Sequence, residues 1–124
     1  TTAPSYNLHV NGSVAGTSGY NNLSDARYKK NISSIENASE LVSKMRGVSF
    51  DWKKEDYKNL NFEDKRQLGL IAQELEEILP EAVSTDNEGY KSIAYSKIIP
   101  VLIEAIKEQQ KTIDLLKIEI EKIK

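Results

Sequence analysis

The chain has 124 residues, 29% of them charged, a net charge of −2 and no cysteine. That is room for one modest core, or for a small domain with an appendage, and it excludes disulfides, thiolate nucleophiles and cysteine metal sites. The charge balance gives no field to draw the chain to nucleic acid or an anionic membrane, and no apolar run is long enough to span a bilayer or direct secretion.

Thr1 stands where a complete protein would carry methionine, as expected of a piece of a longer chain. Residues 1–23 are rich in Gly, Ser and Asn and almost uncharged. Leu8, Val10 and Val14 fall between polar residues, which suits a strand with one buried face. Asn11-Gly12, Gly16, Gly19 and Asn21-Asn22 punctuate it with turns. So few apolar side chains make no core alone. The stretch reads as a short β stub that must pair with strands from upstream or from identical chains, the bland alternative being a disordered leader. His9 is the one histidine. A Ser-His-Asp triad would have to use it, and a zinc site would lack its usual ligands, so an exposed strand histidine is expected and no metal or cofactor.

The composition changes at Leu23-Ser24-Asp25-Ala26-Arg27-Tyr28-Lys29-Lys30-Asn31-Ile32. A serine hydroxyl is inert at neutral pH unless a base takes its proton. Without cysteine or a nearby histidine, a lysine is the available base, and it must first lose its charge through burial or repulsion by other cations. Arg27, Lys29 and Lys30 repel one another, which helps. Residues five apart lie on opposite faces of a strand and well apart around a helix. Ser24 and Lys29 therefore meet only if the chain turns between them. Ser24 and Lys30 would share a strand face, too far apart to touch. Spacing alone does not choose between the two lysines. The plain alternative is a cap or turn followed by a solvated basic surface.

Downstream the pattern is foldable. A helix is predicted over 37–46, with Asn37 as N-cap, Glu40 closing a capping-box-like pair, Ala38, Leu41, Val42 and Met45 on one face, and Gly47 at the C′ position. Val48, Phe50 and Trp52 alternate with polar residues as a half-buried strand, and 53–66 is a charged, exposed loop. Residues 67–72 read as a second strand leading into a helix near 73–79, which Pro80 ends. Glu74, Glu76 and Glu77 on that helix make a solvated face, because adjacent helical residues do not converge on a metal. Segments 82–85 and 90–93 flank Asp86-Asn87-Glu88-Gly89 as a hairpin.

One long helix is predicted from Ser96 to Lys124, roughly 40 Å at 1.5 Å per residue. Ile99, Ile106, Ile113 and Ile120 recur at one heptad position. Leu102, Gln109, Leu116 and Ile123 occupy the other. This is a coiled-coil seam. So small a domain cannot cover it, so its partner is expected to be a copy of the chain. The seam residues alone leave two or three strands open. Pro100 is tolerable within the first turn.

The run Ser24-Asp25-Ala26-Arg27-Tyr28-Lys29-Lys30-Asn31-Ile32 resembles the opening of the endosialidase-type intramolecular chaperone, a self-processing peptidase domain of phage tailspikes, tail fibres and neck appendages that also occurs in myelin regulatory factor. The likeness continues through Gly47–Trp52, Gly69–Glu74, Leu79-Pro80-Glu81, Tyr95 and Ile98–Glu108, in order. Tyr28 stands where an aliphatic residue is more usual. The resemblance implies an α+β, homotrimeric protein. Residues 1–23 would end an upstream β-rich fibre, 24–95 form the chaperone and auto-processing domain, and 96–124 form the coiled coil.

It also implies that the domain trimerises and folds the fibre, then cuts itself off between Leu23 and Ser24. Ser24 would be the nucleophile and Lys29 the base, with Asp25 orienting Lys29 or Arg27, and Arg27 or a backbone N–H facing the oxyanion. A turn formed only in the trimer would couple cutting to folding. The partners are then the chain's own copies and its own upstream part, not nucleic acid or membrane. The fibre would go to the virion, and the released domain would remain in the host cytoplasm where assembly occurs. The competing reading is a non-cleaving trimeric fibre tip or trimerisation module with a structural or receptor-binding role. A DNA-binding regulator is disfavoured, since 1–124 holds no basic DNA-binding domain.

Overall fold

The computed structural model describes residues 4–124, so the start of the expected stub, residues 1–3, lies outside the described residues. The chain forms two compact units. One holds the described part of Thr1–Ser34 together with Ser49–Gln67, and the other holds Ile35–Val48 and Leu68–Lys124.

The second unit carries the core. Helices α1 (Ala38–Lys44), α2 (Ala72–Ile78) and α3 (Ile98–Ile123) surround Ala38, Leu75, Leu79, Ala82, Ile98, Val101 and Ala105. Small residues on α1 and α3, Ala38 and Ala105, are almost fully buried and let the two helices pack closely. Ile35, Leu41, Val42, Met45, Leu70, Val83 and Ile93 pack around this centre.

The expected capping of α1 is not what forms. Asn37 adopts a left-handed backbone, φ 56° and ψ 35°, and its side chain caps nothing. Instead Glu108 of α3 reaches across. Its carboxylate accepts from the Ala38 N–H at 2.7 Å, the Ser39 N–H at 3.4 Å and the Ser39 hydroxyl at 2.9 Å. Orphan N–H groups of a helix start take any well-placed oxygen, and a carboxylate also complements the positive end of the helix. Gly47 is not a left-handed cap either. The helix closes earlier, with the Met45 N–H donating to Val42 O and Met45 already extended.

Strands β1 (Val48–Phe50) and β2 (Gln67–Gly69) form one two-stranded sheet. β1 stops short of Trp52. In the first unit that indole stacks on Phe62 with ring centroids 4.3 Å apart, a contact that outcompetes extension of the strand. β3 (Val83–Thr85) and β4 (Lys91–Ile93) pair antiparallel, Val83 opposite Ile93 and Thr85 opposite Lys91. Asp86 Oδ1 accepts from the N–H groups of Glu88 and Tyr90, and Gly89 takes the positive φ of 90° that closes the loop. Pro80 ends α2 as expected and begins a 3₁₀ turn, Pro80–Ala82.

Helix α3 follows a 3₁₀ turn, Tyr95–Lys97, so Pro100 falls in its first turn. Ile98, Val101 and Ala105 face the core. All eight seam positions lie elsewhere on the helix and are exposed in the single chain, Ile106 at 63% among them. Residues 4–23 form no strand and are exposed throughout. A lone extended segment has nothing to receive its ladder hydrogen bonds.

Candidate functional site

Within the first unit a single 3₁₀ turn, Ala26–Tyr28, shapes the junction. Asp25 is its N-cap, extended at φ −63° and ψ 137°. Asp25 Oδ1 accepts from the Arg27 N–H at 2.9 Å and from Arg27 Nε at 3.0 Å, while Oδ2 accepts from Nη2 at 3.0 Å. The turn closes with Tyr28 N–H donating to Asp25 O and Lys29 N–H donating to Ala26 O. This reversal brings the Lys29 ammonium to Ser24, where Nζ donates to Oγ at 2.6 Å.

Of the two lysines, Lys29 is the one that reaches the serine. Of the two roles weighed for Asp25, it takes the contact to Arg27. The Arg27 hydrogen bonds, side chain first and then backbone, hold the Asp25 carboxyl below its ordinary range, and Asp25 in turn raises Arg27. Arg27 is therefore a paired cation. It adds less repulsion at Lys29 than a free one, and two of its nitrogens are already engaged. Leu23, Ser24 and Lys29 are exposed in the single chain, and the turn is already made there, so turn formation cannot be the step that awaits assembly. Asn31, just beyond the pair, has φ 56°. The sequence signal for that was present, since Asn tolerates the left-handed region better than other non-Gly residues.

His9 takes no part. Its ring meets Tyr6 edge-on, centroids 6.0 Å apart. Among the described residues no helix is long and apolar enough to cross a membrane.

Residues 24–84 match the family described as chaperone of endosialidase, and the match opens on Ser24. The long tail fiber protein Gp37 of Escherichia phage AR1 is 39% identical over 87 residues, covering 68% of this chain and 8% of the phage protein. Gp37 of Enterobacteria phage M1 is 39% identical over 98 residues, covering 76% of this chain and 38% of its own length. Myelin gene regulatory factor-like A of Dictyostelium discoideum is 29% identical over 131 residues, covering 94% of this chain and 14% of that protein. The chain thus spans well under half the length of each of these relatives.

Proposed function

We propose, from the premise that residues 24–84 belong to the chaperone-of-endosialidase family, that this chain is a fibre chaperone that assembles as a trimer and cuts its own Leu23–Ser24 bond. The observation that carries the reading is the 2.6 Å contact between Lys29 Nζ and Ser24 Oγ, beside the peptide to be cut. Ser24 Oγ attacks the Leu23 carbonyl carbon while neutral Lys29 takes the hydroxyl proton. The C–N bond breaks, the Ser24 nitrogen leaves with a proton from Lys29 or water, and water hydrolyses the Leu23 ester. Nucleophile and target are adjacent in one chain, so proximity lowers much of the barrier.

The contact in the single chain is the resting arrangement. Lys29 donates in it, whereas a base must accept. Water favours the charged ammonium, and removing water favours the neutral amine. Burial of the pair in an assembled trimer would exclude that water and so tie cutting to assembly. Once cut, an intertwined fibre lacks the domain that assembled it and persists through its unfolding barrier. A non-cleaving trimerisation module is the second reading, favoured by the exposure of the pair in the single chain.

The test is the intact mass of the purified protein beside Ser24→Ala and Lys29→Ala, with mass of the native assembly. A fragment beginning at Ser24 in the wild type, absent from both variants, supports the reading. Uncut wild type in a verified trimer leaves the second one.

A further inference from the structure

Asn11 lies ahead of the Leu23–Ser24 bond, yet it is bound to the loop that follows β1. Its side chain donates from Nδ2 to Asn59 O at 2.9 Å and accepts at Oδ1 from the Asn61 N–H at 2.9 Å. Asn61 answers with its own side chain, Nδ2 donating to Asn11 O at 2.8 Å. One primary amide thus bridges the carbonyl of residue 59 and the N–H of residue 61, the pattern that a strand residue makes in a parallel ladder. The loop is prepared for this. Leu60 N–H donates to Tyr57 O, Tyr57 N–H to Lys54 O and Asp56 N–H to Lys53 O. All of these residues belong to the first unit.

We propose that the loop 57–61 is a recognition site for the chain upstream of the cut, and that it reads an asparagine there by reciprocal amide pairing. The inference rests on the reading that residues ahead of Ser24 are the part the domain acts on, but it does not require that the bond be cut. Asparagine alone satisfies the geometry. Aspartate lacks the donor for Asn59 O, glutamine carries its amide one methylene too far, and alanine has neither group. Residues 12–23 have no helix or strand and are exposed. The clasp, rather than a ladder, therefore sets where the segment before the scissile bond is held.

The experiment is amide hydrogen exchange, read by NMR on the whole chain in a Ser24→Ala background so that no chain is cut. The Asn61 N–H is expected to exchange about fivefold more slowly when Asn11 is present than in Asn11→Ala, since a typical hydrogen bond contributes about that factor. Asn11→Asp keeps the acceptor for that N–H and should fall between the two. The Thr85 and Lys91 amides of the hairpin serve as a check and should not move. Equal Asn61 exchange with and without Asn11 would overturn the proposal, as would Asn11→Asp no better protected than Asn11→Ala. Neither outcome bears on whether Ser24 is a nucleophile, which the mass measurement decides separately.

Discussion

Asp25 and Arg27 grip each other through one main-chain and two side-chain hydrogen bonds, and the turn they close carries Lys29 back to Ser24. On the proposed mechanism Asp25 is a positioning residue, since its carboxylate holds Arg27 and closes the turn. Asp25→Ala should slow the appearance of a fragment beginning at Ser24 by roughly tenfold or more, because an uncapped turn spends less time closed. Asp25→Asn keeps an acceptor for the Arg27 N–H and should lie between. A structural defect would reduce the trimer as well, so the fraction cut is read per trimer by native mass spectrometry. The carboxyl is held below its ordinary 3.8 by Arg27. Its contribution is therefore complete above that value and fades as pH falls through the lower folded value. Acid loss of cutting above pH 5 would have to come from another group.

The role of Glu108 is set by a distant partner, Ala38 lying seventy positions earlier. Hydrogen bonds from the Ser39 hydroxyl, then from the Ala38 N–H, keep its carboxyl below the ordinary 4.5. Glu108→Ala should lower the melting temperature by about 5 °C at pH 7, the scale of a lost helix cap in a small domain. Glu108→Gln keeps acceptor oxygen and should lose less. A folded-state pKa that is depressed gives stability present above 4.5 and lost as pH falls through the lower folded value, so the wild-type advantage over Glu108→Ala should shrink as pH is taken below 4.5. An advantage that is flat across that range would contradict the cap.

The Glu108 contact lies beyond what local sequence patterns encode. Periodicity finds the helices, the hairpin and the stop at Pro80, because each depends on neighbours three or four residues away or on local turn chemistry. It also states the condition for Ser24 to meet Lys29, a turn between them, though spacing does not choose the lysine. It misassigns the cap of α1. Asn37 and Glu40 have the right spacing, but a carboxylate brought by α3 supplies the acceptor, and no local rule anticipates that. The end of β1 fails for the same reason, since Trp52 leaves the strand to stack on Phe62, ten residues on. Residues 4–23 form no strand in the single chain, which holds neither the upstream strands nor the identical chains they are expected to pair with.

Helix α3 has two apolar faces, and they should respond differently. Val101 is 2% exposed in the core of its own chain, so Val101→Ala should cost about 2 kcal/mol in denaturant unfolding of the domain. Ile113 is 45% exposed, outside that core. Ile113→Asp should leave the far-UV signal of the domain nearly intact while dissociating the trimer, because a charge buried in a seam is strongly unfavourable. Sedimentation equilibrium separates the two effects. A trimer unmoved by Ile113→Asp would remove the seam from its proposed interface.

Gln109 is the one polar residue among the eight seam positions and the sharpest probe of register. In the single chain it is exposed, as its seam neighbours are. If three copies close on the seam, its amide is drawn into an apolar layer, where a polar group without full hydrogen bonding costs about 1–3 kcal/mol. Such a residue is tolerated in coiled coils because it penalises shifted alignments more than the correct one. Gln109→Leu should therefore raise the melting temperature of the trimer by several degrees while loosening its register. Cross-linking between copies through a cysteine introduced at Lys117 would read that loosening as a broader set of linked products. An unchanged melt would mean that Gln109 keeps its water in the assembly. The helices would then meet along another line, and the heptad assignment from Ile99 to Ile123 would have to be redrawn.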